Sequence, residues 1–359
     1  MQSHHGAWVR YGDPLTGAEI DFAAEHYAVA ILQPWETDAA QRLKALRSDM
    51  VVLCYKCLSS SRSYERGPVH TSGVSHPEAE EAGEHWFAHR ADGSRIEWGA
   101  YPGHWQMAVW DEEYRERWAD NVADDLDGSV WDGVMADNDV YDDYYGLCPP
   151  IEGGRAMGDI RSALDRLVTT AGQRLESIGK ILVPNIAESR REPGRWARHA
   201  AFGGGLEEVW LAYEHDRHLD PDTCLAQAAE LRGPGLKILR TASDGSDTHP
   251  NFLYGLAAMW VLLGGQDALF TATAHDGYSA TPFVAELDAD LGSPLGEPRQ
   301  QGNGWSRAFT AGWAAVNLNH NQRRRITFEL PAGLRSVDGR SAPDHVTVEA
   351  HHGALFVRD

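Results

Sequence analysis

Several things are scarce in this sequence, and each scarcity removes a class of protein. Only four of the 359 residues are cysteine, Cys54, Cys57, Cys148 and Cys224. That is far too few for a disulfide scaffold in a chain of this length. No apolar stretch approaches the roughly 18 residues that a membrane-spanning helix needs. The opening segment Met1–Arg10 has no apolar core of the signal-peptide kind, so the expected location is cytoplasmic as given, or secreted with a leader removed. Positive charge is also short: 32 Lys and Arg stand against 53 Asp and Glu, for a formal net charge of −21. A surface of that sign repels phosphate backbones and anionic membranes, so neither nucleic acid nor a membrane is expected as a partner, whereas a neutral sugar is compatible with it. His is plentiful at 17, yet no H-E-x-x-H or H-x-H occurs. Cys54 and Cys57 form a C-x-x-C inside and just after an apolar run, with no second half to complete a zinc site. No metal and no other cofactor is expected, and composition says nothing of oligomeric state.

What is present begins with 13 Trp. Trp rings are flat apolar plates with one polar handle, the shape on which sugar C–H faces stack. Trp35, Trp98, Trp105, Trp110, Trp131 and Trp210 lie in polar or Gly-rich contexts. As a group they lean towards carbohydrate, although core packing accounts for most single Trp residues.

Along the chain, short β-branched runs alternate with longer helical ones. Eight strands are expected: Tyr27–Leu32, Met50–Tyr55, a weaker one near Gln106–Trp110, Gly133–Ala136, Ile181–Pro184, Gly205–Val209, Lys237–Arg240 and Asp267–Thr271. Between them fit helices at Thr37–Leu46, Glu112–Leu126, Gly158–Ile178, Pro193–Ala201, Pro221–Arg232 and Pro250–Leu263. Glu112–Leu126 carries one apolar stripe, Tyr114, Trp118, Val122 and Leu126, with Asp111 as a natural N-cap. This alternation predicts a (β/α)8 TIM barrel, an α/β fold in which helices cover a closed parallel sheet. After a Gly- and Pro-rich break near Leu291–Gly304 the pattern turns to hairpins at Ser306–Thr310, Trp313–Asn317, Arg325–Leu330, Val346–Ala350 and Ala354–Val357. The expected division is a catalytic barrel over 1–300 and a small C-terminal antiparallel β-domain, sandwich-like, over 301–359. Two long insertions, Leu58–Tyr101 and Asn138–Met157, follow strands and so fall on the C-terminal face, where barrel enzymes build their sites. Trp98, Trp105, Tyr141 and Tyr145 are candidate sugar platforms on or beside them.

Two motifs carry the chemistry. In Trp131-Asp132-Gly133-Val134-Met135-Ala136-Asp137-Asn138-Asp139 an apolar strand ends in acids, which puts Asp137 where a nucleophile or general base belongs, with Asn138 and Asp139 beside it. In Gly203-Gly204-Gly205-Leu206-Glu207-Glu208-Val209-Trp210 two acids sit in an apolar frame, and strand alternation lets only one of them face the site. Two carboxyls on the fourth and sixth strands, close to one another across the same rim, meet the requirement of glycoside hydrolysis, an acid and a second carboxylate flanking the scissile bond. The same pair could hold a divalent metal. Lys56, Asn185, Asp244 and His275 lie at or just after other strand ends and Asp111 opens a helix, and each is a candidate contact for sugar hydroxyls.

The strand-four motif resembles the D-G-V-x-x-D-N pattern of hypothetical glycosyl hydrolase family 15. Val51–Ser60 (VVLCYKCLSS), Val183–Ile186 (VPNI) and Gly203–Trp210 (GGGLEEVW) are similar to that family in order and spacing. Arg307–Asn317 (RAFTAGWAAVN) resembles the opening of the β-domain that follows glycosidase barrels. The resemblance implies a glycosidase acting on an oligo- or polysaccharide, with Asp137 as the strand-four carboxylate and a Glu of strand six as its partner. The family's G-x-x-x-E spacing, counted from Gly204, favours Glu208 as acid/base over Glu207. The expected mechanism is retaining, with Asp137 as nucleophile. A transglycosidase on the same site, a metal-dependent barrel hydrolase and a non-catalytic carbohydrate-binding barrel are the alternatives. The sugar, linkage and anomer are not readable from the residues.

Overall fold

A computed structural model describes residues 4–265, 267–274, 278–279 and 281–358. Eight parallel strands close into a barrel: Gly6–Arg10, Tyr27–Leu32, Val51–Cys57, Gly133–Asp139, Ile181–Ile186, Gly204–Glu207, Leu236–Ala242 and Ala268–Thr273. In chain order these are the first to eighth barrel strands, and the first pairs with both the second and the eighth.

Two strand assignments differ from the sequence reading. The barrel begins at Gly6–Arg10, five fully buried residues too short to show a period. The run near Gln106–Trp110 is not a barrel strand. His104–Gln106 pairs antiparallel with Ser60–Arg62, a two-stranded sheet that joins the start of the long insertion to the chain just after it. Its apolar residues, Met107 and Val109, are buried in the shell outside the barrel wall with helix residues Tyr114 and Trp118. Apolarity there reports loop packing, which a strand signal cannot distinguish. The two changes cancel in the count, so Gly133–Asp139 and Gly204–Glu207 are still the fourth and sixth strands.

Alternation builds the barrel interior. Val9, Ile31, Leu53, Met135, Val183, Leu206, Ile238 and Leu269, one from each strand, form an apolar plug. Two residues further along, the same inward face carries Tyr11, Gln33, Tyr55, Asp137, Asn185, Glu208 and Arg240. A polar layer therefore lies directly on an apolar floor, at the C-terminal end of the strands.

Helices Glu112–Leu126 and Pro221–Glu230 start on side-chain caps: Tyr114 N–H donates to Asp111 Oδ1 and Thr223 N–H to Asp220 Oδ1. Beyond residue 298, strands 299–301, 304–308, 312–317, 352–358 and 334–335 form an antiparallel sheet in that order, and Ile326–Glu329 pairs with His345–Val348. Trp313, Phe328, Leu330, Leu334 and Val348 are their own small core. The sheet packs on helix Pro250–Ala258 at Gly353, where a Cβ would stand 2.2 Å from the Leu253 carbonyl oxygen. Among the described residues no helix is long and apolar enough to cross a membrane.

Candidate active site

The polar layer floors a cavity of about 640 Å³. At its centre Asp137 and Glu208 share one donor. Asn185 Nδ2 donates to Asp137 Oδ1 at 3.0 Å and to Glu208 Oε2 at 2.9 Å. The reverse amide orientation would set an oxygen against two carboxylates, so the electrostatics fix the assignment. Asp137 Oδ1 also accepts from the Asn138 N–H at 2.9 Å, and Oδ2 accepts from the Tyr55 hydroxyl at 2.7 Å. Glu208 Oε1 accepts from the Tyr278 hydroxyl at 2.5 Å. Burial, and then the neighbouring Glu208 carboxylate, push the Asp137 carboxyl above the usual range, while Tyr55, Asn185 and Asn138 pull against the rise. Burial also drives the phenols of Tyr11, Tyr55 and Tyr278 well up, so they remain neutral donors. Tyr11 packs between Tyr55 and Tyr278, with ring centroids 4.9 and 4.7 Å away.

Arg240 stiffens the far side. Its Nε donates to Thr273 Oγ1 at 2.9 Å, its Nη2 to the Thr273 carbonyl at 3.0 Å and its Nη1 to the Glu208 carbonyl at 3.3 Å. Sequence reasoning passed over Tyr11, Gln33, Tyr55 and Arg240. Gln33, Tyr55 and Arg240 were findable by stepping two residues on from an inward apolar strand residue, whereas Tyr11 follows a strand too short to be read.

The doubled Glu is resolved by Leu206, which belongs to the barrel plug. Glu208 lies two residues on and faces inward. Glu207 touches the cavity wall, but its carboxyl is fully buried and turns outward, accepting from the Val209 N–H at 3.2 Å and from Ser189 Oγ at 3.4 Å. Burial pushes it up to about 7, with Arg190 and its hydrogen-bond donors working in the opposite direction. The glycines before it admit neighbouring protein. A Cβ on Gly204, at φ 137°, would stand 2.3 Å from the Leu236 carbonyl oxygen, and one on Gly205 2.7 Å from Ile186.

Other expected contacts divide. Trp98, Asn138 and Tyr145 line the cavity. Trp98 is 3% exposed and stacks flat on Tyr145, centroids 3.7 Å apart, so its own face is covered. The Tyr145 hydroxyl donates to Asn138 Oδ1. Six further candidates, Lys56, Trp105, Asp111, Asp139, Tyr141 and Asp244, do not line the cavity. Lys56 points out of the barrel by alternation from Tyr55, and its Nζ donates to Asp125 Oδ2 at 2.7 Å and to the His70 carbonyl at 2.9 Å. Asp111 is the helix cap described above. Trp105 packs near His76 within the insertion. Tyr141 lies beneath the guanidiniums of Arg161 and Arg191, at 4.5 and 4.4 Å. Asp244 accepts from the Ser246 N–H and hydroxyl in an exposed turn. Asp139 is fully buried and pairs with Arg195 at 2.7 Å and with His199. Strict alternation would have aimed it inward beside Asp137. The left-handed Asn138, φ 69°, and the register shift between Ala136 and Asp139 turn it to the outside. His275 lies outside the described residues.

Exposed aromatic surface sits on the rim. Tyr64, Tyr144 and Tyr213 line the cavity at 58%, 45% and 39% exposure. Among the described residues no group of three or more His, Cys, Asp and Glu is arranged to hold a metal ion.

A family model described as hypothetical glycosyl hydrolase family 15 matches residues 44–313. No curated protein sequence matches the chain. Among solved structures, the maltogenic α-amylase AmyB from Thermotoga neapolitana is similar at a TM-score of 0.58 and 8% identity, covering 98% of this chain and 98% of that one. An α-amylase from Malbranchea cinnamomea is similar at a TM-score of 0.51 and 9% identity, covering 99% and 96%. An Anoxybacillus α-amylase is similar at a TM-score of 0.50 and 12% identity, covering 99% and 97%. At such identities the likeness is one of fold.

Proposed function

The chain belongs to hypothetical glycosyl hydrolase family 15 and is a glycosidase, and we propose that it cleaves O-glycosidic bonds of an oligo- or polysaccharide by a retaining mechanism, with Asp137 as nucleophile and Glu208 as acid/base. The observation that carries this reading is the donor shared through Asn185. Two carboxylate oxygens bonded to one nitrogen can be no further apart than the two bonds laid end to end, about 6 Å. Retaining enzymes hold their carboxyls roughly 5–5.5 Å apart, and inverting enzymes need roughly 6.5–9.5 Å to admit a water.

Asp137 Oδ1 has two donors and Oδ2 has one, which leaves Oδ2 a lone pair for the anomeric carbon. In the first step Oδ2 bonds to that carbon, the glycosidic C–O bond breaks, and the Glu208 proton passes to the leaving oxygen. In the second, Glu208 takes a proton from water, whose oxygen displaces Asp137 from the same carbon. Tyr278 orients Glu208 through both steps.

Asp137→Asn tests the assignment. Turnover on a glycan that the wild type cleaves should fall by several orders of magnitude with the fold retained. Activity above about a tenth of wild type in a folded variant contradicts it.

A further inference from the structure

The nucleophile assignment leaves unexplained how a carboxylate pushed up by burial and by a facing carboxylate remains ionised. The groups around Asp137 are mostly neutral or acidic. Glu208 faces it from just beyond the sixth strand, Tyr11, Tyr278 and Tyr145 from the loops after the first, eighth and fourth, and Cys57 from the third. Arg240 has its guanidinium bonded to Thr273 and to the Glu208 backbone.

Arg62 reaches Asp137 through a phenol. The Tyr55 hydroxyl spends its only proton on Asp137 Oδ2 at 2.7 Å. Its oxygen accepts from Arg62 Nη2 at 3.1 Å. Arg62 Nη1 donates to Glu65 Oε1 at 3.3 Å. Glu65 is fixed in turn by the Thr71 N–H, 2.9 Å from Oε2, and by Thr71 Oγ1, 2.7 Å from Oε1. The Arg62 side chain is 13% exposed, and its guanidinium lies over the Tyr55 ring, 5.4 Å from the centroid. Its other titratable neighbours are Tyr64, Cys57 and His104. Arg62 ends the short strand Ser60–Arg62, which pairs antiparallel with His104–Gln106, so the long insertion after the third strand delivers this cation to the barrel mouth.

We propose that Arg62 is a positioning residue that acts through the Tyr55 hydroxyl to keep Asp137 aimed and ionised. A cation donating to a phenol oxygen makes its O–H a stronger donor, because bonds in a chain polarise one another. The strengthened donor stabilises the charged form of the carboxylate. The positive charge adds its own attraction across a gap of low dielectric. The proposal rests on Asp137 being the nucleophile, but its test needs no substrate.

The test follows the titration of Asp137 directly, by 13C NMR of side-chain-carboxyl-labelled aspartate in the full chain, with Asp137→Asn identifying the resonance. Arg62→Met should raise the Asp137 pKa by about one unit, roughly a tenfold change in its ionisation constant. Arg62→Lys, which keeps the charge and one donor, should return most of that shift. Tyr55→Phe should also raise it, and Arg62→Met made in the Tyr55→Phe background should add less than it does alone. An unmoved titration in a folded Arg62→Met protein overturns the proposal. Fully additive shifts overturn the action through Tyr55. Should Arg62→Met fail to fold, Tyr55→Phe and Arg62→Lys decide: no shift in Tyr55→Phe overturns the relay, and a rise there with a near-wild-type Arg62→Lys supports it. A glycosidase assay that fails while Asp137 titrates as expected counts against the functional reading and leaves the relay standing.

Discussion

Asp137 and Glu208 hang from a single nitrogen, the Nδ2 of Asn185, at 3.0 and 2.9 Å. The amide sets their spacing and places a dipole between two groups that would otherwise repel. Asn185→Ala removes both bonds at once. The expected result is a fall in kcat of about 100-fold or more, as for loss of one well-placed donor, with the protein still folded. Steady-state kinetics beside a thermal melt check it. Unchanged kcat in a folded variant would show that the amide does not set the spacing.

Glu207 and Glu208 are neighbours in sequence with opposite surroundings, so their variants should differ in kind. Glu208→Ala should lose turnover of substrates with poor leaving groups yet still be glycosylated by an activated aryl glycoside, and azide should rescue the second step. Glu207→Gln should leave kinetics nearly unchanged and alter stability. The Glu207 carboxyl ionises near 4.5 ordinarily and at about 7 in the fold. Below 4.5 both states carry the proton and the group contributes nothing. Between 4.5 and 7 the unfolded chain ionises first, so stability falls as pH rises, and above 7 the loss is complete. Its full size is about 3 kcal/mol at most. Glu207→Gln should therefore stabilise at pH near 8 and not near 4, which denaturant melts at the two values would show. Azide rescue of a Glu207 variant alone would reverse the two roles.

Much of this site is legible in the sequence, and the reasons for the remainder are physical. The end of the fourth strand could be read because an apolar run stopping in acids is rare without cause. The choice between the two Glu could not be made from Gly205, which has no side chain to point either way, but Leu206 in the plug decides it. Asp139 was misplaced because one left-handed residue, Asn138, breaks the alternation after Asp137. Tyr55 lay in a stretch already noted, hidden between two cysteines and a lysine that drew attention to other chemistry. Arg62 could not have been found, since only the fold of the insertion brings it back to the barrel mouth.

Sugar stacking is expected on the exposed rim. Tyr144→Ala and Tyr213→Ala should each raise KM for an oligosaccharide by an amount equivalent to about 1–2 kcal/mol, with kcat much less affected. Trp105→Ala and Tyr141→Ala, whose rings pack away from the cavity, should leave KM alone. Affinity unchanged in both rim variants would remove the platforms from the account.

Asp139 should matter for stability. It pairs with Arg195 and His199 in full burial, and His199 also meets Asp165. Burial opposes the imidazolium, but the two flanking carboxylates outweigh it and push His199 up to about 9. A group raised in this way contributes fully below its ordinary 6.5 and ceases to contribute as pH rises through about 9. Asp139→Asn takes from Arg195 its close, fully buried carboxylate and leaves only Asp165, 3.9 Å away, and should cost about 3–5 kcal/mol at neutral pH, read by denaturant melts. It should also flatten the fall in stability between pH 6.5 and 9. A loss well under about 1 kcal/mol would show that the network is not structural.

The central claim is that two carboxylates held together by Asn185 cleave a glycosidic bond with retention. A panel of oligo- and polysaccharides, followed by time-resolved NMR of the anomeric protons, tests it directly. The account predicts that the first-formed product keeps the anomeric configuration of the cleaved bond, and that Asp137→Asn and Glu208→Ala abolish the signal on natural glycans. First-formed product of the opposite anomer would contradict it.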